Sequence, residues 1–297
     1  MCILFWTVNS HPKYRFIFAG NRDEFLDRPT AAAHFWPSPH EHILAGTDLE
    51  ASATPSHDGT WLGITRDGRF AALTNYREQK YLGRRSRGAL TRDFLRSGNN
   101  SAIGYMKDLK EHASEYGGFS LICMNLKGDH QNDMAYFSNR EGVDITPLSQ
   151  GEIYGLSNSV LDKPWEKVDN GRAIFKGIVN QSNLSKEELI ESLFDLLRTT
   201  KDTCGSPTME DDINQDPAAA LEKAKKRIFI PLFLFGTSIY GTRTSTVILV
   251  DHEGNTTFIE RDHYIADEQG QREDNDQKAA YKPVVDHGRT FYFNIDN

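Results

Sequence analysis

Cysteine is scarce in this sequence. Only Cys2, Cys123 and Cys204 occur among 297 residues. Their odd number and wide spacing exclude a disulfide framework or a zinc knuckle and point to a reducing compartment. Long hydrophobic runs are missing as well. The longest, Ile228–Phe235, is interrupted by Pro231 and falls far short of the ~20 residues that span a bilayer. Positive charge is not in excess: the formal net charge of −8 argues against a general nucleic-acid binder, which needs a basic footprint. The ten histidines form no HExxH or regular ligand cluster, and His40-Glu41-His42 in a Pro-rich loop reads as a surface turn, so no metal centre is expected. No basic segment precedes the apolar run that ends at Val8, and His11-Pro12-Lys13 follows it where a signal peptide would have small residues. Without a leader or a span, the expected compartment is the cytoplasm.

What is present is an ordinary globular chain with enough apolar residues for a substantial core. Residues 2–8 and 14–20 are β-rich runs separated by Asn9-Ser10-His11-Pro12 and read as paired strands. Residues 61–66 and 69–75 flank Asp67-Gly68, a strong hairpin signal. Further strands are expected at 119–125, 134–138, 152–158 and 244–251, the last pairing with 256–261. Ser185-Lys186-Glu187-Glu188 is a capping box, followed by Leu189, Leu193, Leu196 and Leu197 at helical spacing. A second helix is expected from Pro164, burying Trp165, Val168, Phe175 and Ile178, and others at 88–97 and 101–113. Segments 201–217 and 262–283 are polar and read as surface excursions. The pattern predicts one α+β domain over residues 1–297, with helices on largely antiparallel sheets.

Cys2 is the chemically unusual residue. Removal of Met1 would put a thiol and a free α-amine on one residue. The amine has a reference pKa of ~7.7–8.0 against ~8.5 for the thiol. The amine can therefore serve as the thiol's own base; the bland alternative is an inert cysteine in a strand. Polar clusters at expected strand ends accompany it: Asn21-Arg22-Asp23-Glu24, Thr74-Asn75-Tyr76-Arg77, Gly155-Leu156-Ser157-Asn158 and Gly241-Thr242-Arg243-Thr244-Ser245. Convergence on one sheet rim would supply oxyanion donors and a substrate clamp.

The start Met1-Cys2-Ile3 joins a series of further motifs. These are Gly20-Asn-Arg-Asp-Glu-Phe25, Arg28-Pro29, Gly59-Thr-Trp-Leu-Gly63, Ala72-Leu-Thr-Asn-Tyr76, Tyr154-Gly-Leu-Ser-Asn158 and Tyr240-Gly-Thr-Arg-Thr-Ser245. Together they resemble the NRDE family, also called the transport and Golgi organisation protein 2 family. The resemblance implies a four-layer αββα sandwich of the Ntn-hydrolase type, similar at the site to choloylglycine and penicillin V acylase type cysteine amidases. It implies Cys2 as nucleophile, Arg22 and Asp23 orienting its amine and thiol, Asn75 and Asn158 flanking an oxyanion, and Arg243 stabilising the cysteine's surroundings. Asn21 and Glu24 are further ligand-binding candidates. In those amidases the arginine and aspartate stand three positions apart, whereas here they are adjacent. Strand alternation puts Arg22 and Glu24, not Asp23, on one face. Either the strand bulges here, or Glu24 is the working carboxylate, or the hydrolase geometry has been lost.

The resemblance also implies haem mobilisation, handling of lipids or acyl-CoA, and a link to secretion and Golgi organisation. No cofactor is required on this reading; haem or acyl-CoA would be the transported small-molecule ligand. Docking on an organelle membrane, at mitochondria or Golgi, stays open. Arg84, Arg85 and Arg87 precede an expected helix start, where CoA phosphates or haem propionates would be welcome; a solvated basic face is the plain alternative. Three functions follow as expectations: a ligand carrier, a cysteine amidohydrolase or thioesterase, and an inactive scaffold acting through protein partners.

Overall fold

The computed structural model describes residues 2–50, 59–78, 85–98, 100–127, 133–200, 217–266, 281–284 and 287–295. The strands of the N-terminal part are β1 (Ile3–Val8), β2 (Tyr14–Phe25), β3 (Thr30–Phe35), β4 (Ile43–Asp48), β5 (Leu62–Thr65) and β6 (Arg69–Asn75). Helices α1 (Gly88–Arg96) and α2 (Ala102–His112) come next, then β7 (Phe119–Asn125), β8 (Met134–Ser138), β9 (Thr146–Pro147) and β10 (Ile153–Leu156). Helices α3 (Glu166–Val179), α4 (Lys186–Leu197) and α5 (Pro217–Ala224) precede β11 (Phe233–Phe235), β12 (Ser238–Asp251) and β13 (Asn255–Asp262). Short β14 (Tyr264–Ala266) and β15 (Tyr281–Pro283) pair with each other, and β16 (Gly288–Asn294) closes the chain's last ladder.

One sheet runs β10-β1-β2-β12-β13-β16, with β11 added on β12; the other runs β3 to β9 in sequence order. Every pairing within the two sheets is antiparallel. The alternation of side chains along each strand sorts the apolar residues into three layers. On β1, Leu4 and Trp6 join Phe16 and Phe18 of β2 and meet Leu44, Ile64, Phe70 and Ile122 of the second sheet. Ile3 and Phe5 point the other way, with Ile17 and Ala19, onto Val168 and Phe175 of α3 and Leu189 and Leu193 of α4. On the far side, Ile43, Ala71 and Leu121 carry Leu90 and Phe94 of α1 and Met106 and Leu109 of α2. The order is helices, sheet, sheet, helices, which is the expected αββα sandwich. β1 is covered on both faces, and that is why the chain opens on a continuous apolar run.

Most sequence expectations fall within a residue or two of the observed elements. Asp67-Gly68 makes the β5–β6 turn, with Gly68 at φ +84°. Ser185 and Glu188 exchange the two bonds of a capping box. Two strands are longer than expected. β2 continues to Phe25 instead of ending at residue 20, so Asn21–Glu24 lie within the ladder and pair with β12. β12 likewise begins at Ser238, which places Gly241–Ser245 inside it. Polar composition alone hid both, because buried hydrogen bonds take up Asn21, Asp23, Thr242 and Ser245. Of the excursions expected at 201–217 and 262–283, residues 201–216 and 267–280 lie outside the described residues, as do Arg84 and Cys204, while Tyr264–Ala266 pairs with Tyr281–Pro283. No helix among the described residues is long and apolar enough to cross a membrane.

Candidate functional site

Cys2 immediately precedes β1, one step beyond the Ile3–Asn21 pair. Alternation therefore gives it the inter-sheet face with Leu4, and on β2 the same face carries Arg22 and Glu24. Asp23 points to the helix layer. Neither β1 nor β2 bulges at this point. The irregularity lies on β12, where Thr242 is opposite Asp23 and Thr244 opposite Arg22, leaving Arg243 as the extra residue.

A cavity of about 640 Å³ opens between the sheets at this end. Cys2, Arg22, Glu24 and Arg28 line it from the first sheet's side, Trp61 and Asn75 from the second, and Arg85 and Arg87 from the start of α1. The arginines expected as a separate anion patch thus share one cleft with the cysteine. The approach of α1 depends on glycine: a Cβ on Gly88 would lie 3.0 Å from the Cα of Gly59. The carbonyl of Gly88 accepts from the Thr60 amide at 3.1 Å. Bulk at either glycine would lift Arg85 and Arg87 away from the thiol.

Arg22 is 6% exposed and its guanidinium lies 4.0 Å over the Trp61 ring. Its Nη2 is 3.8 Å from Glu24 Oε2. Burial lowers the Arg22 pKa, and Glu24 opposes that shift. Arg28 pairs with Asp48 at 2.7 Å and with Glu50, so the outer cleft wall carries both signs of charge. Burial pushes the Cys2 thiol up, as does the Asp23 carboxylate, whereas the Asp23 backbone N–H and the Arg22 guanidinium favour the thiolate.

Asp23 is 3% exposed. Its Oδ1 accepts from Thr242 Oγ1 at 2.7 Å, and Thr242 Oγ1 in turn accepts from the Ile230 amide at 2.8 Å. Burial raises its carboxyl pKa, and Lys167 and the Thr242 hydroxyl work against that rise. Lys167 had no signal in the sequence: it is a helix residue whose partners, the carbonyls of Ala224 and Arg227, lie nearly sixty positions away. Asn21 is 1% exposed and does not line the cleft. Its Nδ2 donates to the carbonyls of Leu197 and Ile228 at 2.9 and 3.0 Å, and its Oδ1 accepts from Ser245 Oγ at 2.6 Å. It ties helix α4 and the Ile228 segment to the sheet. Arg243 also stands apart from the cleft, donating to the Arg28 carbonyl at 2.6 Å, and burial lowers its pKa.

Asn75 is exposed and borders the cleft. Asn158 borders a neighbouring cavity of about 350 Å³, and its Nδ2 donates to the Asn75 carbonyl at 2.6 Å. Ser157 Oγ donates to the Cys2 carbonyl at 2.7 Å, fixing the residue's backbone. The second cavity is walled by Phe25, Phe233, Phe235 and Tyr240, and it shares Phe25, Asn75, Arg87 and Tyr240 with the first. A polar half with a thiol thus adjoins an aromatic half. No group of acidic, histidine and cysteine side chains suited to a metal ion occurs among the described residues.

Known proteins resemble this chain along nearly its whole length. The family described as Transport and Golgi organisation 2 matches residues 1–264. The human Transport and Golgi organization protein 2 homolog is 38% identical over 268 residues, covering 88% of this chain and 92% of the relative. The Drosophila melanogaster Transport and Golgi organization protein 2 is 29% identical over 270 residues, covering 88% and 91%. Among solved structures, a Caenorhabditis elegans N-acylethanolamine-hydrolyzing acid amidase ortholog is similar at a TM-score of 0.46 and 12% identity, over 84% of this chain and 92% of the other. Penicillin V acylase from Agrobacterium tumefaciens gives 0.43 and 13%, over 88% and 83%. The motifs that line or brace the Cys2 cleft fall within the matched region, and the chain belongs to the transport and Golgi organisation 2 family.

Proposed function

We propose that the protein binds a small amphipathic anion in the Cys2 cleft and carries it, acyl-CoA and haem being the two ligands to test. The observation that supports this is the sharing of Phe25, Asn75, Arg87 and Tyr240 between the thiol-bearing cavity and the aromatic one. A ligand with an anionic end would meet Arg85 and Arg87 beside the α1 N-terminus. An apolar chain or ring would cover the aromatic wall, at about 25 cal/mol per Å² of apolar surface removed from water. Acyl-CoA would put its phosphates at these arginines and its chain on the aromatic wall; haem would direct its propionates to the same arginines.

The test is calorimetric titration of the purified protein with palmitoyl-CoA and, separately, haemin. Saturable stoichiometric binding is expected, weakened at least about tenfold by Arg87→Glu and by Phe235→Ser. Absence of saturable binding for both ligands refutes the carrier reading.

A second reading, a cysteine amidohydrolase or thioesterase, is favoured by the Asp23 backbone N–H and Arg22 guanidinium beside the Cys2 sulfur. With Met1 removed, the α-amine would accept the thiol proton as sulfur adds to an acyl carbonyl. The amine or thiol leaving group would take that proton back, and water would then release the acid from the Cys2 thioester. Intact mass of the protein from its own cells decides whether Met1 is removed. A Cys2 acyl adduct, trapped from an acyl thioester and lost in Cys2→Ala, is the expected sign of turnover. No adduct across amide and thioester libraries rules it out.

A further inference from the structure

Cys2 stands outside the β1 ladder, whose first pair is Ile3 with Asn21, and a terminal residue so placed ordinarily frays. It is held by the chain that leaves β10. Ser157 is 2% exposed and Asn158 is 4% exposed. Ser157 Oγ has one hydrogen to give, and of the two acceptors near it the Cys2 carbonyl is the closer, at 2.7 Å against 3.3 Å for Asn158 Oδ1. The carbonyls of three consecutive residues are taken by the second sheet and its continuation. Thr74 Oγ1 donates to the Ser157 carbonyl at 2.7 Å, the Arg77 amide to that of Asn158 at 3.1 Å, and Ser120 Oγ to that of Ser159 at 2.9 Å. Asn158 Nδ2 returns a bond to the Asn75 carbonyl. The edge of the first sheet is thus stitched to the end of β6, where Cys2 and Asn75 border one cleft.

We propose that residues 157–159 form a strap that places Cys2 in the cleft, with Ser157 as the positioning residue and Thr74 as its anchor on the second sheet. The Ser157 hydroxyl fixes the Cys2 backbone, and the Ser157 backbone is in turn fixed by Thr74, which is fully buried. Thr74 lines neither the thiol-bearing cavity nor the aromatic one. An effect of its hydroxyl on Cys2 therefore passes through the strap. Asn158 spends an amide hydrogen on the same seam, tying it to the strand that carries Asn75. This role concerns where the Cys2 sulfur sits, needs neither proposed ligand, and holds for a carrier or a hydrolase.

The test follows iodoacetamide alkylation of Cys2 by peptide mass spectrometry from pH 5 to 10, which separates it from Cys123 and Cys204. Burial is the largest influence on the Cys2 thiol and holds its pKa up, so a sulfur released into water titrates lower and reacts faster. Ser157→Ala is expected to move the alkylation midpoint downward and to speed alkylation at neutral pH about fivefold, the equilibrium weight of one hydrogen bond. Ser157→Thr keeps the hydroxyl and should restore the profile. Thr74→Val keeps the shape, loses the hydroxyl, and should shift Cys2 the same way. The Ser157→Ala/Thr74→Val double variant should do little more than either alone, because both cut one strap. An unchanged or slower rate in folded Ser157→Ala overturns the proposal, even if its melting temperature falls, because a bond that only stabilises the fold leaves Cys2 in place. Ser157→Ala can also fail to fold, and for that case Thr74→Val decides: faster Cys2 alkylation supports the strap, and an unchanged or slower rate overturns it.

Discussion

The guanidinium of Arg22 lies 4.0 Å over the indole of Trp61, a contact that joins the two sheets at the cleft. Arg22 comes from β2 and Trp61 from the residue before β5, so the pair braces the cavity across its width. Two consequences can be measured. Trp61→Ala should cost about 1–2 kcal/mol in urea denaturation through the lost cation–π contact. Arg22→Leu should slow Cys2 alkylation at neutral pH several-fold, because the thiolate loses the neighbouring cation that favours it.

Asn21 is a structural tie and should behave as one. Asn21→Ala strands two buried carbonyls and a serine hydroxyl, and chemical denaturation should show a loss of about 3 kcal/mol or more. The pH profile of Cys2 alkylation should stay in place. A shift of that profile without loss of stability would return Asn21 to the binding site.

His263 sets a pH dependence of stability. Asn21 uses its amide N–H groups on carbonyls, so its Oδ1 accepts and Ser245 must donate to it. The single hydroxyl proton is then committed, and His263 Nε2 carries the hydrogen in its 2.7 Å contact with Ser245. Burial first, then the positive charge of Arg198, lowers the imidazole from 6.5 to about 4. Because the folded value is the lower one, the unfolded chain takes up the proton first on acidification. The stability this group contributes is fully present above pH 6.5 and is lost as pH falls through about 4. The loss should reach about 3 kcal/mol across that window, at roughly 1.4 kcal/mol per pH unit. His263→Gln should flatten that part of the stability profile, as measured by denaturation at pH 7 and pH 4.5.

Glu260 is buried on β13, accepts the Ala33 amide of the opposite sheet at 2.9 Å, and pairs with Arg289 on β16. Arg289→Ala strips the partner from a buried carboxylate and should cost about 3–5 kcal/mol. Arg289→Ala combined with Glu260→Gln should regain much of that loss in the same denaturation assay. Additive losses would mean the two residues act independently.

Much of this architecture was legible in the chain. The Asp67-Gly68 turn, the Ser185–Glu188 box and the doubly buried β1 each follow from local pattern, because turn chemistry, capping and alternation act within a few residues. The site was legible in its residues but not in their division of labour. Alternation places Arg22 and Glu24 on the cleft face and Asp23 behind it, which is readable once β2 is known to continue past residue 20. Nothing local shows that Asn21 reaches Leu197 and Ile228, or that Lys167 reaches Arg227. Those bonds join residues far apart in sequence, and polar composition conceals the burial. The adjacency of Arg85 and Arg87 to Cys2 depends on the Gly59–Gly88 contact, which is also long-range.

The extra residue at Arg243 makes β12 a strand that changes step. On its C-terminal side Ser245 is opposite Asn21; on its N-terminal side Thr242 is opposite Asp23. Deletion of Arg243 would leave an uninterrupted ladder in the same register, with Thr242 still opposite Asp23 and Tyr240 opposite Phe25, so every side chain would keep its face. Thr242 would keep its bond to Asp23, and what would be lost is the bond from Arg243 to the Arg28 carbonyl. The irregular ladder thus serves to put one more side chain at the strand's edge, and the identity of the bulged residue matters more here than the length.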